Sequence, residues 1–320
     1  MRHVLLWLGV ALLVGCSHTP WVYQGRVDIP NQVELTDVAF FPQEDYQCGP
    51  AALATVLTQR QINTTPEALV DQVYLPQRKG SLQVEMIAAV RNHELLAYPL
   101  KTNLDALLIE VAAGNPVLVL QNRGLDAWPM WHFAVVVGYD LERQELILRS
   151  GTTKREITGF RLFERGWAKS QRWAVVVTPP TQLPATAELG PWLQAANDLE
   201  QTGKLSAATQ AYQQAEQHWP AQGLASFALA NSYYAQGKMQ HAGEAFTRSV
   251  TRDPQLAAGW YNWGHWLAEQ GCHTEATQAL NCARTLAPTD VRFSSQPDFL
   301  ATNKPHHCSP TPKCPLLDPN

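Results

Sequence analysis

The stretch Gln43-Glu44-Asp45-Tyr46-Gln47-Cys48-Gly49-Pro50-Ala51-Ala52-Leu53 decides how the rest of the chain is read. Its thiol is followed at once by a small-residue, apolar segment of helical character that runs to about Gln59. A cysteine in the first turn of a helix meets free backbone N–H groups and the positive end of the helix dipole, and both favour negative charge. That placement predicts a thiol of lowered pKa, the source of a thiolate able to attack carbonyl carbon. The imidazole such a nucleophile requires is offered by His132, in the run Trp131-His132-Phe133-Ala134-Val135-Val136-Val137-Gly138-Tyr139.

Outward from this pair the chain mixes helices and strands from about residue 31 to 178. Val33 to Phe41 predicts a strand leading to the nucleophile turn. Thr65-Pro66-Glu67 is a helix start with proline at the first helical position. Ser81 followed by Glu85 reads as a capping box, opening a helix to about His93. Asn103 caps a helix from Leu104 to Ala113, closed by Gly114. Pro116 to Gln121, His132 to Tyr139, Glu145 to Arg149 and Arg172 to Val177 are strand-like runs. A helical half followed by a strand half is an α+β arrangement. A cysteine at a helix start and a histidine on a strand of the other half form a papain-like layout.

The motif pair, Gln-x4-Cys-Gly-Pro-Ala-Ala-Leu and then, 84 residues after the cysteine, His-Phe-Ala-Val-Val-Val-Gly-Tyr-Asp, resembles the bacteriocin-processing, double-glycine cysteine peptidase family. The resemblance covers about residues 36–178. It implies that Cys48 is the nucleophile and that His132 is the general base, which later protonates the leaving amine. It implies that the Gln43 side-chain amide joins the Cys48 backbone N–H in stabilising the oxyanion. Gln47 is a second candidate, because the family spacing from glutamine to cysteine is often one residue longer. Members often sit on export transporters and cut leader peptides after Gly-Gly; with no transporter segment, this chain resembles the stand-alone, periplasmic type. No cofactor and no metal site is expected. The chain departs from the family at the third catalytic member, typically an Asp before Pro some sixteen to eighteen residues after the histidine. Here the region reads Leu146-Ile147-Leu148-Arg149-Ser150-Gly151-Thr152. If the hairpin turns near Leu141-Glu142-Arg143, His132 faces roughly position 151, so Ser150 or Thr152 is placed to orient the ring. Asp140 is the nearest acid, yet eight residues of extended strand is about 27 Å.

Residues 1–16, MRHVLLWLGVALLVGC, combine Arg2 with an apolar run too short to span a bilayer, the form of a signal peptide. Leu13-Val14-Gly15-Cys16 resembles a bacterial lipobox, which implies cleavage before Cys16 and lipid on that residue. Ser17 in place of Asp implies the outer membrane, facing the periplasm. No further segment is apolar enough to span, so the expected membrane contact is the anchor alone. The net charge of −4 and the lack of a basic run argue against a nucleic-acid partner. Six cysteines in 320 residues are not a disulfide scaffold. In an oxidising compartment, pairing of Cys308 with Cys314 is left open.

After a short linker, residues 179–187, residues 188–290 carry an exact period. Gly203, Gly237 and Gly271 are 34 apart, as are Pro220, Pro254 and Pro288, and Ala208, Ala242 and Ala276. Leu193, Phe227 and Tyr261 keep the register, as do Tyr212, Phe246 and Leu280. A 34-residue helix–turn–helix unit with small contact residues and a closing proline resembles the tetratricopeptide repeat. Three copies suffice for a stack, which offers a concave groove to a protein partner. Trp260, Trp263 and Trp266 are expected to pack within that stack. Residues 17–30 read as a tether and 291–320 as a proline-rich, loosely ordered tail. The expected fold is therefore an α+β papain-like cysteine peptidase domain followed by an all-α tetratricopeptide-repeat domain. The expected function is a lipid-anchored periplasmic peptidase acting on a peptide or protein substrate. The alternatives are a non-catalytic peptide-binding scaffold and a transglutaminase-like, amide-transferring enzyme. Trp128-Pro129-Met130-Trp131, just before His132, reads either as an apolar wall at the cleft or as core.

Overall fold

The computed structural model describes residues 25, 27–43, 47–293, 308 and 310–315. The expected signal sequence, Cys16 and most of the tether and tail lie outside the described residues. Seven strands form one antiparallel sheet: β1 (Gln32–Glu34), β2 (Leu96–Pro99), β3 (Val117–Asn122), β4 (Trp131–Asp140), β5 (Glu145–Ser150), β6 (Thr153–Gly159) and β7 (Ala174–Thr178). Their order is β2-β7-β3-β4-β5-β6, and β1 pairs with the far end of β4, Gln32 opposite Asp140. β3 and β7 are buried along their whole length. Both faces of the sheet are covered, which is why these strands read as continuous apolar runs rather than alternating ones. β6 closes the edge with Lys154, Arg155 and Glu156, charges that discourage pairing with another sheet.

Helices α1 (Cys48–Gln59), α2 (Pro66–Val73) and α3 (Gln83–Asn92) cover one face, packing Leu53, Leu57, Leu69 and Met86 on Leu118, Leu120, Val135 and Val175. The other face carries α4 (Leu104–Ala112) and α5 (Phe160–Ala168), whose Leu107, Leu108, Phe163 and Trp167 meet Val117, Val119, Val136 and Val176. The caps of α2 and α4 form as the sequence predicts: the Thr65 hydroxyl accepts from the Ala68 N–H and the Asn103 side-chain Oδ1 from the Ala106 N–H.

Two local expectations are corrected. The strand predicted for Val33–Phe41 shrinks to Gln32–Glu34. Beyond it the carbonyls of Leu35, Thr36 and Val38 are taken by the buried guanidinium of Arg149, so the segment needs no strand partner. Ser81 caps nothing: α3 starts from Leu82 without a side-chain cap, and the Ser81 hydroxyl lies instead over Gly49. β2, β6 and α5 were not anticipated; two of them are short or charged edge elements with weak apolar periodicity.

The segment after β7 is fastened rather than free. The fully buried carboxylate of Glu110 accepts from the Thr186 N–H and hydroxyl and from the Ala185 N–H, and Asn115 ties it to Arg60. Six helices follow: α6 (Leu189–Gln201), α7 (Leu205–His218), α8 (Gly223–Ala235), α9 (Met239–Arg252), α10 (Ala257–Glu269) and α11 (His273–Leu286). Gly203, Gly237 and Gly271 turn the chain between successive members of three hairpins, at φ of +79°, +71° and +79°, a region that other residues enter at a cost. Ala208, Ala242 and Ala276 are fully buried at the helix contacts. Trp260 and Trp263 are buried and Trp266 lies across Gly243, in line with packing rather than display. The helical region shares the second core of the sheet: Trp192 of α6 packs beside Tyr98, and Arg91 of α3 pairs with Asp198. Cys308 and Cys314 do not pair with each other. They form disulfides to Cys272 and Cys282, so that the described part of the tail runs along α11.

Candidate active site

Cys48 is the first residue of α1 and is half-buried. Gln47 precedes the helix and supplies no side-chain cap. The Ala51 N–H is spent on the Gln47 carbonyl, and Pro50 has no N–H. The N–H groups of Cys48 and Gly49 at the helix mouth have no backbone acceptor among the described residues, and both lie against the sulfur. A third donor, the N–H of Phe133, reaches it from β4. Gly49 is needed for this geometry: a Cβ there would stand 2.0 Å from the Ser81 hydroxyl and 2.5 Å from its Cβ.

The expectation of a lowered thiol pKa is corrected. Burial raises it, and the three backbone hydrogen bonds pull the other way without prevailing. The helix mouth is present, but it is roofed over, and desolvation of a thiolate outweighs partial charges.

His132 is the second residue of β4 and is half-buried. Its Nε2 lies 2.9 Å from the Ser150 hydroxyl, so Ser150 rather than Thr152 meets the ring. Thr152 is exposed at the turn after β5, and Asp140 accepts from the Arg143 N–H at the opposite end of β4. Behind Ser150 stands a pair that sequence reasoning missed. Arg123 donates to the Ser150 hydroxyl at 3.3 Å and to the Glu156 carboxylate at 2.8 Å. Burial, then the Arg123 charge, lowers the His132 pKa to about 4, with Glu156 opposing. The hydrogen bond of the imidazole goes to Ser150, and none runs to Cys48. The sulfur rests on the amide of the very next residue. The thiol and the imidazole are thus both uncharged at neutral pH, and with Nε2 at Ser150 it is Nδ1 that makes no hydrogen bond among the described residues.

Gln43 is anchored by its backbone N–H to the Gly151 carbonyl, beside Ser150; its side chain makes no hydrogen bond among the described residues. Trp128, Met130 and Trp131 are 75%, 65% and 48% exposed, so they form surface at the mouth of the site and not core. Their loop is held by the Asn122 side chain, which accepts from the Gly124 and Met130 N–H groups. Registering the β3–β4 hairpin would have exposed Arg123 early. Gln121 pairs with His132, and the Arg123 N–H reaches the Met130 carbonyl, so Gln121 and Arg123 fall on the face of His132.

With this arrangement in view, the comparison with known families becomes informative. Residues 35–175 match the model of the Peptidase_C39 like family. This segment is a C39 peptidase-like domain. The match covers β2 to β6, the start of β7, the helices on both faces of the sheet, and every residue of the candidate site. Three solved structures are similar to it. One is described as a C39-like peptidase from Bacillus anthracis, at 17% identity and a TM-score of 0.39, covering 47% of this chain and 98% of that one. Another is the peptidase domain of Streptococcus ComA, described as a bifunctional ABC transporter of a quorum-sensing pathway, at 19% identity, TM-score 0.36, covering 44% and 98%. The third is a double glycine motif protease from an AMS/PCAT transporter in complex with its leader peptide, at 20% identity, TM-score 0.33, covering 49% and 96%. No curated protein matches the chain. In the C39-like domain the imidazole and the hydroxyl come from the adjacent strands of the β4–β5 hairpin, and the thiol comes from α1, distant in sequence and packed on the sheet.

Proposed function

We propose that the protein is a lipid-anchored, periplasmic cysteine peptidase of the outer membrane that cleaves a peptide or protein substrate through an acyl-enzyme on Cys48. The observation that carries the reading is the cluster of backbone donors around a thiol that abuts the histidine strand, inside a C39 peptidase-like domain. His132, held at Nε2 by Ser150, accepts the Cys48 proton at Nδ1 as the sulfur attacks the carbonyl carbon. The oxyanion is held by the Cys48 N–H and the Gln43 amide. The imidazolium gives its proton to the leaving amine, and the thioester is hydrolysed by a water that His132 deprotonates. Because both partners rest neutral, the proton moves during attack rather than beforehand. The lipobox, with Cys16 as the acylated residue, supplies the anchor. Among the described residues no helix is long and apolar enough to cross a membrane. The helical region, read as three tetratricopeptide repeats, recruits a substrate or protein partner at its groove.

A second reading is a non-catalytic peptide-capturing scaffold. It is favoured by the hydroxyl at the third position and by the raised thiol pKa. Mass spectrometry of envelope peptides from cells carrying the native chain or Cys48→Ala separates the two. The peptidase predicts cleavage products that vanish with Cys48→Ala. Identical peptide profiles, together with no Cys48 adduct from a peptide aldehyde, would leave the scaffold.

A further inference from the structure

A cavity of about 380 Å³ opens beside the site, between the end of β3, β6 and α5. Its wall begins at Gln121, the residue paired with His132. The Gln121 side chain is only 9% exposed, and its amide nitrogen is buried without a hydrogen-bond partner. A donor in that position is costly unless something supplies an acceptor. Arg123, Arg165 and Lys169 line the same cavity against a single carboxylate, Glu156. Arg123 is engaged by Glu156, and Lys169 by Asp126 and the Gly124 carbonyl. The Arg165 guanidinium makes no hydrogen bond to any described residue. Leu162 and Phe163 complete an apolar side. Gly166 brings α5 within close reach of the β3 backbone, where a Cβ would lie 3.1 Å from the Asn122 carbonyl.

We propose that this cavity is a subsite for a carboxylate of the peptide held at Cys48, an acidic side chain or the chain's own terminus, bound by Arg165 and the Gln121 amide. The proposal rests on the peptidase reading for what delivers the carboxylate. Guanidinium and amide donors lining one cavity from two elements suit the two oxygens of a carboxylate, and charge-assisted bonds of this kind are the stronger class. The occupant also acts on the reaction. Its charge enters beside Arg123, the cation that disfavours a protonated His132, and so replaces part of the negative charge that Ser150 does not provide.

The test uses the full chain bearing Cys48→Ala, so that binding is read without turnover. The probes are acetyl-Gly-Gly-Glu-amide, acetyl-Gly-Gly-Gln-amide and acetyl-Gly-Gly-Gly with a free carboxylate, followed by calorimetry and by the NMR signal of the Gln121 side-chain amide. A carboxylate probe is expected to bind about tenfold more tightly than the Gln probe and to shift the Gln121 amide. Preference for the Glu probe assigns the subsite to a side chain, and preference for the free acid assigns it to a terminus. Arg165→Ala, at an exposed position, brings the preferred probe down to the level of the Gln probe. Equal binding of all three probes, or a preference that survives Arg165→Ala, overturns the proposal. Unchanged envelope peptides in the Cys48→Ala comparison would instead remove the peptidase reading and leave this binding preference intact.

Discussion

The two halves of the candidate site are made of different material. Around Cys48 the partners are backbone N–H groups, fixed by the start of α1 and by β4. Around His132 they are side chains, in a chain from Ser150 to Arg123 to Glu156. Backbone donors survive most substitutions, because any residue supplies them if the helix still begins in the same place. A side-chain relay is rewritten by a single codon. The thiol half is therefore where a C39-like domain is expected to be constant in geometry, and the imidazole half is where charge is set. In this chain it is set towards a neutral ring, first by burial and then by a cation behind a hydroxyl.

The hardest break in the comparison is removal of the ring. His132→Ala is expected to lower peptide turnover by about 10²- to 10⁴-fold, the usual worth of a positioned general base. Saturation transfer or calorimetry should find peptide binding retained. A variant with full turnover would mean that the backbone half works alone.

The buried imidazole also ties stability to pH. Its pKa is about 4 in the folded chain against 6.5 when free. Above 6.5 the ring is neutral in both states and the stability is complete. As pH falls, the unfolded chain takes up the proton first, so stability declines between 6.5 and 4 and this group adds no further slope below. The shift corresponds to at most about 3 kcal/mol. Urea midpoints at pH 7 and pH 4.5 should differ for the native chain and differ less for His132→Gln. Equal differences would place the acid sensitivity elsewhere.

How much of this was legible follows the same division. The helix mouth could be read because Cys48-Gly49-Pro50 lies in one continuous stretch, and the repeat glycines because a 34-residue period repeats itself three times. Ser150 was one of the two hydroxyls that hairpin counting offered; the ladder, with Val135 opposite Arg149 after a bulge near Val137, runs on towards Thr152 opposite His132, yet the ring meets Ser150 across the diagonal. Registering β3 against β4 reaches Arg123 as well, but not Glu156, which lies on an edge strand 33 positions away with no local pattern to link the two. The raised thiol pKa was illegible for a related reason. A sequence marks where N–H groups point but not how much water is excluded around them. The partners of Cys308 and Cys314 were hidden because they depend on the path of the tail along α11.

On the thiol side, Gly49→Ala is the informative change. The new methyl meets Ser81 at the Cβ as well as the hydroxyl, so rotation of the serine alone does not relieve it. Overpacking of this kind costs about 1–3 kcal/mol, and it shifts the first turn of α1 that carries two of the sulfur's donors. Cys48 alkylation by iodoacetamide should slow, or lose its dependence on His132. Adding Ser81→Gly should restore both stability and labelling. Failure of that rescue would show that the glycine serves the sulfur in some way other than this contact.

The smallest change sharpens the comparison most. Ser150→Asp puts a carboxylate where the hydroxyl now meets Nε2, on a strand already positioned for it. An opposite charge at that distance raises an imidazole pKa by about 1–3 units. Arg123 would then pair with the new carboxylate as well as with Glu156, so the cation that now opposes protonation would be partly neutralised. The protonated ring becomes reachable near neutral pH, and transfer of the Cys48 proton becomes less uphill by the same margin. Turnover at pH 7 is expected to rise about tenfold, near the 1.4 kcal/mol that one pKa unit represents. The His132 resonance should titrate at higher pH in parallel. A raised pKa without faster turnover would mean that ring orientation, which the serine already provides, limits the reaction more than charge does. Faster turnover without a raised pKa would locate the gain in geometry instead. In either case the imidazole half, and not the backbone half, sets the rate.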